Sequence, residues 1–409
     1  MLYFPRMIMV LPDFLIFLVT AVVSVYMPLF LQMMHYSATQ IGFLLACYNA
    51  MGIVVPLLGM PFISKSKHLG LLLALFGVAM ALMTIPLYMF NTFWMTAVFI
   101  TLFAVFYKMT IPLCDSMINE ALGVRRDLYG RVRVFGSVAF VIMSLVMQHF
   151  IAERVCSSTE MILWTGIPSA LFAASVILVS TSHSGNVRSS EDSGEKANNK
   201  LLGVADSKDT TRSEPQLGFV ATLKSFDKEF YLILFVVFME YMGMVPSYNF
   251  MSLYVQNELH SNMSGFLWAF SAICEIPFMF LSSVFIRRFK ARPLILICTA
   301  AVTLRMAAYA FIPNFTGAMI GQALHSITFG LFYPACVMYF AQASKTKRAL
   351  VISMSLFAAV SGIANVVGSS LGGVIIDTLG FKMLFCIFGV LPLIGLAVYV
   401  TVKQFVFSK

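Results

Sequence analysis

Charge is what this sequence has least of. Only 11% of its 409 residues are Asp, Glu, Lys or Arg, while 60% are hydrophobic; a typical soluble domain carries about 25% charged residues. The mean hydropathy is +0.88. One soluble core does not absorb that much apolar surface, so the expected solvent for most of the chain is lipid. Cysteine excludes further classes. The seven cysteines (47, 114, 156, 274, 298, 336 and 386) form no CxxC pair and no metal-ligand spacing, and all but Cys156 stand in apolar segments. They read as small buried hydrophobes, with no metal site among them. The 28 methionines follow no spacing either and read as gap-fillers. No GxxxxGK[ST] phosphate loop occurs, and no polar segment is large enough to fold as an ATPase. Nothing points to an enzyme or a resident cofactor. Any work the protein does must draw on an ion gradient, a solute gradient or a separate subunit. The N-terminus lacks a convincing small-residue cleavage site and reads as an uncleaved first span.

What is there in abundance is the apolar run. Runs of roughly 18–25 residues match the hydrocarbon thickness of a bilayer. Twelve are readable, at about 10–31, 41–63, 69–90, 93–118, 131–151, 160–181, 229–255, 263–286, 293–312, 316–341, 349–375 and 381–402. Backbone groups in lipid must be satisfied within the segment, so each is expected to be a helix. With the N-terminus placed in the cytoplasm, 23 of the 27 Lys and Arg fall in cytoplasmic segments, and the outer loops hold only Arg154 and Lys382. This asymmetry predicts cytoplasmic termini at both ends, in the inner (cell) membrane. It also accounts for the net charge of +9 without a nucleic-acid partner. Residues 182–228 form the one long polar stretch, rich in Ser, Gly, Asn and charge, and read as a largely disordered cytoplasmic linker. The expected organisation is an all-α membrane protein: a six-helix bundle over 1–181, the linker, and a second six-helix bundle over 229–409. Two six-span halves in this arrangement are the layout of a transporter with parallel repeats.

Ionisable residues inside the spans are few: Lys108, Asp115, Glu240, Glu275, Arg305 and His325, with Asp13 near the end of the first span, where it reads as interfacial. A charge at the bilayer centre costs at least ~2.5–3.5 kcal/mol, so such residues face a cavity or a partner. Lys108 and Asp115 lie seven apart and share a face of span 4, with Pro112 between them to kink it. Lys108 reads as a cavity residue, and Asp115 as a partner for Arg131 or Arg133. Trp268 stands one heptad before Glu275 on span 8, on the same face, as either a ring-binding cavity residue or part of the interfacial belt. Gln322, His325 and Thr328 form a polar stripe on span 10. Arg305 on span 9 then requires Glu275 or Glu240 as counter-ion. A carboxylate in a dry site takes up a proton when its cationic partner leaves and releases it when the partner returns. Imidazole suits the same relay. Glu240, Glu275, Arg305, His325 and Asp115 are therefore the candidates for proton coupling and ion pairing. Lys108, Asn49, Trp268, Gln322 and Thr328 are the candidates for solute binding.

Three stretches carry a family resemblance. "YGRVRVFGSVAFVI" (129–142), "WAFSAICEIP" (268–277) and "GQALHSITFG" (321–330) resemble the span-5, span-8 and span-10 signatures of one branch of the major facilitator superfamily. That branch contains the phenylpropionate permease and is related to oligosaccharide and nucleoside proton symporters. The placing of Glu275, Arg305 and His325 on spans 8, 9 and 10 also resembles lactose permease. The resemblance covers all twelve spans and implies a major facilitator fold, alternating access, and symport of a small polar organic solute (a sugar, a nucleoside or an aromatic acid) with a proton. It implies a cytoplasmic gate at Arg131 and Arg133, closing on Asp115 or Asp127. There are departures. Thr328 stands where lactose permease has a carboxylate one turn after its histidine, so the proton acceptor falls to Glu275 or Glu240. The loop between spans 2 and 3, "GMPFISKSKHLG" (59–70), lacks the superfamily's Asp. An uncoupled facilitator or exporter of the same fold and a non-transporting sensor are the competing readings. In each, the expected partners are a small solute and the bilayer, with the chain acting as a monomer.

Overall fold

A computed structural model describes residues 10–63, 69–122, 129–151, 157–187 and 219–407. Among the described residues the regular structure is helical throughout, with no strand. Six helices make the first half: α1 (Val10–Met33), α2 (Ala38–Ile63), α3 (Leu69–Met89), α4 (Phe93–Leu122), α5 (Tyr129–Ile151) and α6 (Ser158–Val187). After a short helix over Phe219–Ser225 come α7 (Lys228–Asn249, continued by Met251–Asn257), α8 (Ser264–Phe289), α9 (Ala291–Phe311) and α10 (Phe315–Gln342). A 61-residue helical run, Lys347–Phe407, completes the chain. Straight, it would measure about 90 Å, three times the hydrocarbon thickness. It folds back at Gly380, whose φ of +78° and ψ of 176° no side chain would favour. It therefore supplies two spans, α11 (347–379) and α12 (381–407), and the total is the expected twelve.

The spans are apolar on most faces, so their outer surfaces keep large hydrophobes such as Leu57, Trp94 and Phe280 exposed, as lipid contact requires. The first span of each half, α1 and α7, is the most enclosed by its neighbours. Both ends of the linker expected at 182–228 are helical: α6 runs on to Val187 and the short helix occupies Phe219–Ser225. Residues 188–218 between them lie outside the described residues. Asp227 caps α7 by accepting from the Phe230 amide at 2.7 Å, and Asn314 caps α10 through the Gly317 amide at 3.0 Å.

The two halves are clamped at the face that bears the 34–37 turn, which lies opposite the face carrying the chain ends. There Asp377 of α11 accepts from the backbone amides of Ala38 and Thr39 at the start of α2, at 3.0 and 2.7 Å. Gln32 of α1 donates to Asn257 at 2.8 Å, and the Gly265 amide of α8 donates to Gln148 of α5 at 2.8 Å. The side chain of Gln148 also donates to the Asn262 carbonyl. At Gly42 and Gly373 a Cβ would collide with the backbone of the opposite helix, so α2 and α11 approach to backbone contact only because both residues lack one.

Candidate functional site

Among the described residues the largest fully buried side chain is a cation. Arg305 of α9 is 1% exposed, and its guanidinium donates in every direction. Nε reaches the Tyr309 hydroxyl at 3.1 Å, and one terminal nitrogen reaches Gln322 Oε1 at 3.0 Å. The other approaches His325 Nδ1 at 3.1 Å, Thr328 Oγ1 at 3.2 Å and Met244 Sδ at 3.5 Å. A guanidinium has no acceptor, so Nδ1 of His325 must be the acceptor in that contact. The imidazole proton therefore sits on Nε2, which points at Glu275 Oε2 from 3.3 Å. The result is a directed chain, Arg305 to His325 to Glu275. Its last member keeps 16% of its side chain exposed. Local sequence makes the chain possible. Immediately after His325 the helix widens into a π-helical stretch, Ser326–Leu331, which brings Thr328 and His325 to the same guanidinium nitrogen.

This corrects the expectation that Glu275 or Glu240 pairs with Arg305 directly. Among the described residues no carboxylate stands within ion-pairing distance of it. Neutral acceptors encircle the guanidinium, and His325 is interposed before Glu275. Glu240 is buried on α7 with Oε2 lacking a hydrogen-bond partner.

A cavity of about 480 Å³ lies between the halves at mid-depth. Its first-half wall comes from α1 through Ser24 and Pro28, from α2 through Tyr48 and Asn49, and from α4 through Tyr107 and Lys108. The second half contributes Tyr248 and Asn249 of α7, Trp268 of α8, and Ser361 and Asn365 of α11. The α1 wall is itself irregular: a π-helical turn, Val22–Tyr26, precedes Pro28. Lys108 donates to Asn49 Oδ1 at 3.2 Å, and its ammonium sits 3.9 Å above the Tyr48 ring. Asn49 bridges the halves by donating to Ser369 at 3.3 Å. Trp268 donates to Ser252 at 3.3 Å, so its indole belongs to the cavity wall and not to an interfacial belt. Tyr248 links this cavity to the buried chain: its ring packs edge-on against His325, with centroids 6.0 Å apart.

Nearer the face that carries the chain ends, Arg133 of α5 bonds Asp13 at 2.9 Å and approaches Asp115 at 3.9 Å, with its guanidinium over the Phe17 ring. Asp13 is 1% exposed, which corrects its interfacial reading; α1 is enclosed by α5 from its first turn. On the same face Arg292 pairs with Glu229 at 2.6 Å, and Tyr399 donates to that carboxylate at 2.8 Å. These ion pairs each stay within one half. The side chain of Arg131 and the whole of Asp127 lie outside the described residues.

The structure thus separates the residues that the sequence grouped. Lys108, Asn49 and Trp268 line the cavity. Gln322 and Thr328 are turned onto Arg305. Asp115 joins Arg133 as expected. Sequence reasoning missed the aromatic wall of Tyr48, Tyr107 and Tyr248, and the amides Asn249 and Asn365, because tyrosine and asparagine in an apolar run carry no charge to draw attention. Their recurrence near mid-span was the available signal.

The model of the MFS_1 like family matches residues 8–387. The chain is 23% identical to an uncharacterized transporter, YwbF, of Bacillus subtilis (strain 168) over 398 residues, covering 88% of this chain and 92% of that one. Among solved structures it resembles the nucleoside transporter NupG with a TM-score of 0.74 at 15% identity, covering 97% of this chain and 98% of that one. The xylose transporter XylE from E. coli matches with a TM-score of 0.65 at 14% identity, covering 98% and 97%. At these identities the structural likeness establishes the fold.

Proposed function

Because the chain belongs to the MFS_1 like family of membrane transporters, we propose that it is a secondary active transporter. In this reading it moves a small polar organic solute by alternating access, in symport with a proton, across the inner membrane with both termini in the cytoplasm. The observation that carries the reading is the junction at Tyr248. One ring serves both a solute-sized cavity and a buried chain of proton-exchanging groups. The cavity volume falls in the range of about 300–1,000 Å³ usual for small-molecule sites.

The tautomer at His325 supplies the coupling. A proton can reach Nδ1 only if the Arg305 nitrogen withdraws, since two donors cannot face each other at 3.1 Å. Protonation of the relay therefore displaces a guanidinium held by α7, α9 and α10. Conversely, a rearrangement of these helices that frees Nδ1 opens the relay to a proton. Glu275, partly exposed, is the outer end at which the proton enters or leaves. The clamp at Asp377, Gln32 and Gln148 closes the face that bears the 34–37 turn. Lys108, Asn49 and Trp268 hold the solute, and the chain acts as a monomer.

The test is solute-driven pH change in proteoliposomes, with sugars, nucleosides and aromatic acids as solutes. Wild type should move protons with one class. Glu275→Gln should lose uphill accumulation while retaining exchange of solute. Accumulation at the wild-type level in that variant would end the coupling assignment. Solute entry without proton movement in wild type would identify an uncoupled facilitator.

A further inference from the structure

Accepting the transport reading, we infer that Ser369 of α11 is a positioning residue: its buried hydroxyl fixes two amides of the cavity wall, Asn49 and Asn249, and ties that wall to the clamp at Asp377. Ser369 is 0% exposed and is not among the residues that line the cavity. Its hydroxyl donates to the Asn365 carbonyl one turn back. It accepts from Asn249 Nδ2 at 2.6 Å and from Asn49 Nδ2 at 3.3 Å. A hydroxyl has one donor and two acceptor sites, so this one is saturated. Both amides must therefore turn their nitrogen toward it. For Asn49 the other end agrees, because the Lys108 ammonium can only donate and it takes Oδ1. Among the described residues Asn249 Oδ1 has no hydrogen-bond partner, so the tie leaves it as an acceptor on the cavity wall.

The tie crosses the halves. Asn49 belongs to α2 in the first half, while Asn249 and Ser369 belong to the second. Along α11, Asn365, Ser369, Gly373 and Asp377 recur every four residues, which places them on one ridge of the helix. That ridge runs against α2 from the cavity to the clamp, over roughly 18 Å. The Ser369 carbonyl packs against Gly42, Gly373 meets the Ala38 backbone, and Asp377 accepts from Ala38 and Thr39. Separating α2 from α11 breaks the Asn49 bond together with the clamp, while Asn249 keeps its own. The wall therefore has two arrangements, with Asn49 held when the clamp is shut and released when it opens. An occupant of the cavity that claims the Asn49 amide competes with Ser369 and favours release, by the reciprocity of linked equilibria. The other seam supplies a contrast. On α5 the Ser144 carbonyl packs against Gly265 of α8 in the same way, yet among the described residues the buried Ser144 hydroxyl has no hydrogen-bond partner.

The experiment is amide hydrogen exchange on the full-length protein in detergent, with no solute added. It is read at two sites between the halves on the clamped face: the Ala38 and Thr39 amides, held by Asp377, and the Gly265 amide, held by Gln148. Exchange at such sites follows the opening equilibrium. Ser369→Ala should speed it about fivefold at both, the factor that one net hydrogen bond between neutral groups contributes to an equilibrium. Asn49→Ala should do the same, and the double variant no more, because all three remove one and the same bond across the seam. Ser144→Ala should leave both sites unchanged. Asn49→Ala carries the test if Ser369→Ala fails to fold. A rise confined to the α2 amides would mean that Ser369 merely packs α2 locally, and it would overturn the assignment. Unchanged exchange, or an equal rise in Ser144→Ala, would overturn it too. Failure of this proposal and failure of the transport reading are separable. Exchange that responds to Ser369→Ala in a protein that moves no solute in proteoliposomes keeps the tie and removes transport. Solute movement with exchange indifferent to Ser369→Ala removes the tie and leaves transport.

Discussion

Among the described residues two cations, Arg305 and Lys108, lie deep in the spans, and the chain treats them differently. Arg305, in the second half, is surrounded by acceptors from three helices, so its guanidinium is satisfied before any ligand arrives. Lys108, in the first half, has one amide oxygen and one ring. The difference separates a fully satisfied charge from a partly satisfied one. Removing the first leaves acceptors buried without donors. Removing the second relieves the protein of a partly compensated charge. The comparison can be broken by stability alone. Arg305→Ala should lower the unfolding free energy by at least about 3 kcal/mol, through a large void and the orphaned Gln322, Thr328 and His325 acceptors. Lys108→Met should leave it unchanged or raise it by about 1 kcal/mol. Thermal unfolding in one detergent decides the matter, and similar losses in both variants would erase the distinction.

The Arg133 cluster provides an intermediate case. Asp13 is as buried as Arg305, but its ion-pair partner, Arg133, is about a third exposed, and Oδ2 of Asp13 has no hydrogen-bond partner. Asp13→Asn keeps the shape and removes the charge. It should cost about 1–3 kcal/mol, the value of a hydrogen bond between charged groups. A loss as large as that of Arg305→Ala would show that the cluster, and not the Arg305 cage, holds the protein together.

The same contrast marks what could be read from the sequence. The twelve spans were legible because lipid makes length and apolarity nearly sufficient evidence for a helix. Only α11 and α12 follow one another without a loop, and Gly380 alone turns the chain between them. The ionisable residues of the site were legible because each is conspicuous in an apolar run. Their pairing was not. Pairing depends on which face of α10 meets α9, and the π-helical stretch at Ser326–Leu331 shifts that face in a way that a regular 3.6-residue period does not anticipate. Thus Arg305 met His325, Gln322 and Thr328 instead of a carboxylate, and two expected solute ligands became part of its cage. Asp13 was misread for a related reason: proximity to the end of a span says nothing about whether another helix covers it.

A finer test lies within the cage. Gln322→Leu removes one acceptor and leaves Tyr309, His325 and Thr328 in place. The guanidinium nitrogen that it served loses its acceptor, at a cost of about 1–2 kcal/mol. Because Gln322 does not line the cavity, solute affinity should change less than about twofold while thermal stability falls. A solute affinity loss of tenfold or more without loss of stability would return Gln322 to the binding site.

The smallest expected effect concerns how the two halves meet. Asp377 accepts from two successive amides at the start of α2, so its carboxylate acts as a helix cap supplied by the other half. Under the alternating access proposed above, opening that face breaks both bonds. Asp377→Asn keeps one acceptor oxygen and removes the charge, at a cost to the closed face of about 1 kcal/mol. The fold is untouched by this, since α2 remains a 26-residue helix. Only the balance between closed and open should move, by roughly fivefold. A cysteine placed at Asn365 on the cavity wall, in a background without the native cysteines, reports that balance through its rate of labelling by a membrane-impermeant reagent added at the clamped face. The rate should rise about fivefold in Asp377→Asn. An unchanged rate would mean that the backbone contact at Gly42 and Gly373, and not the carboxylate, holds that face shut.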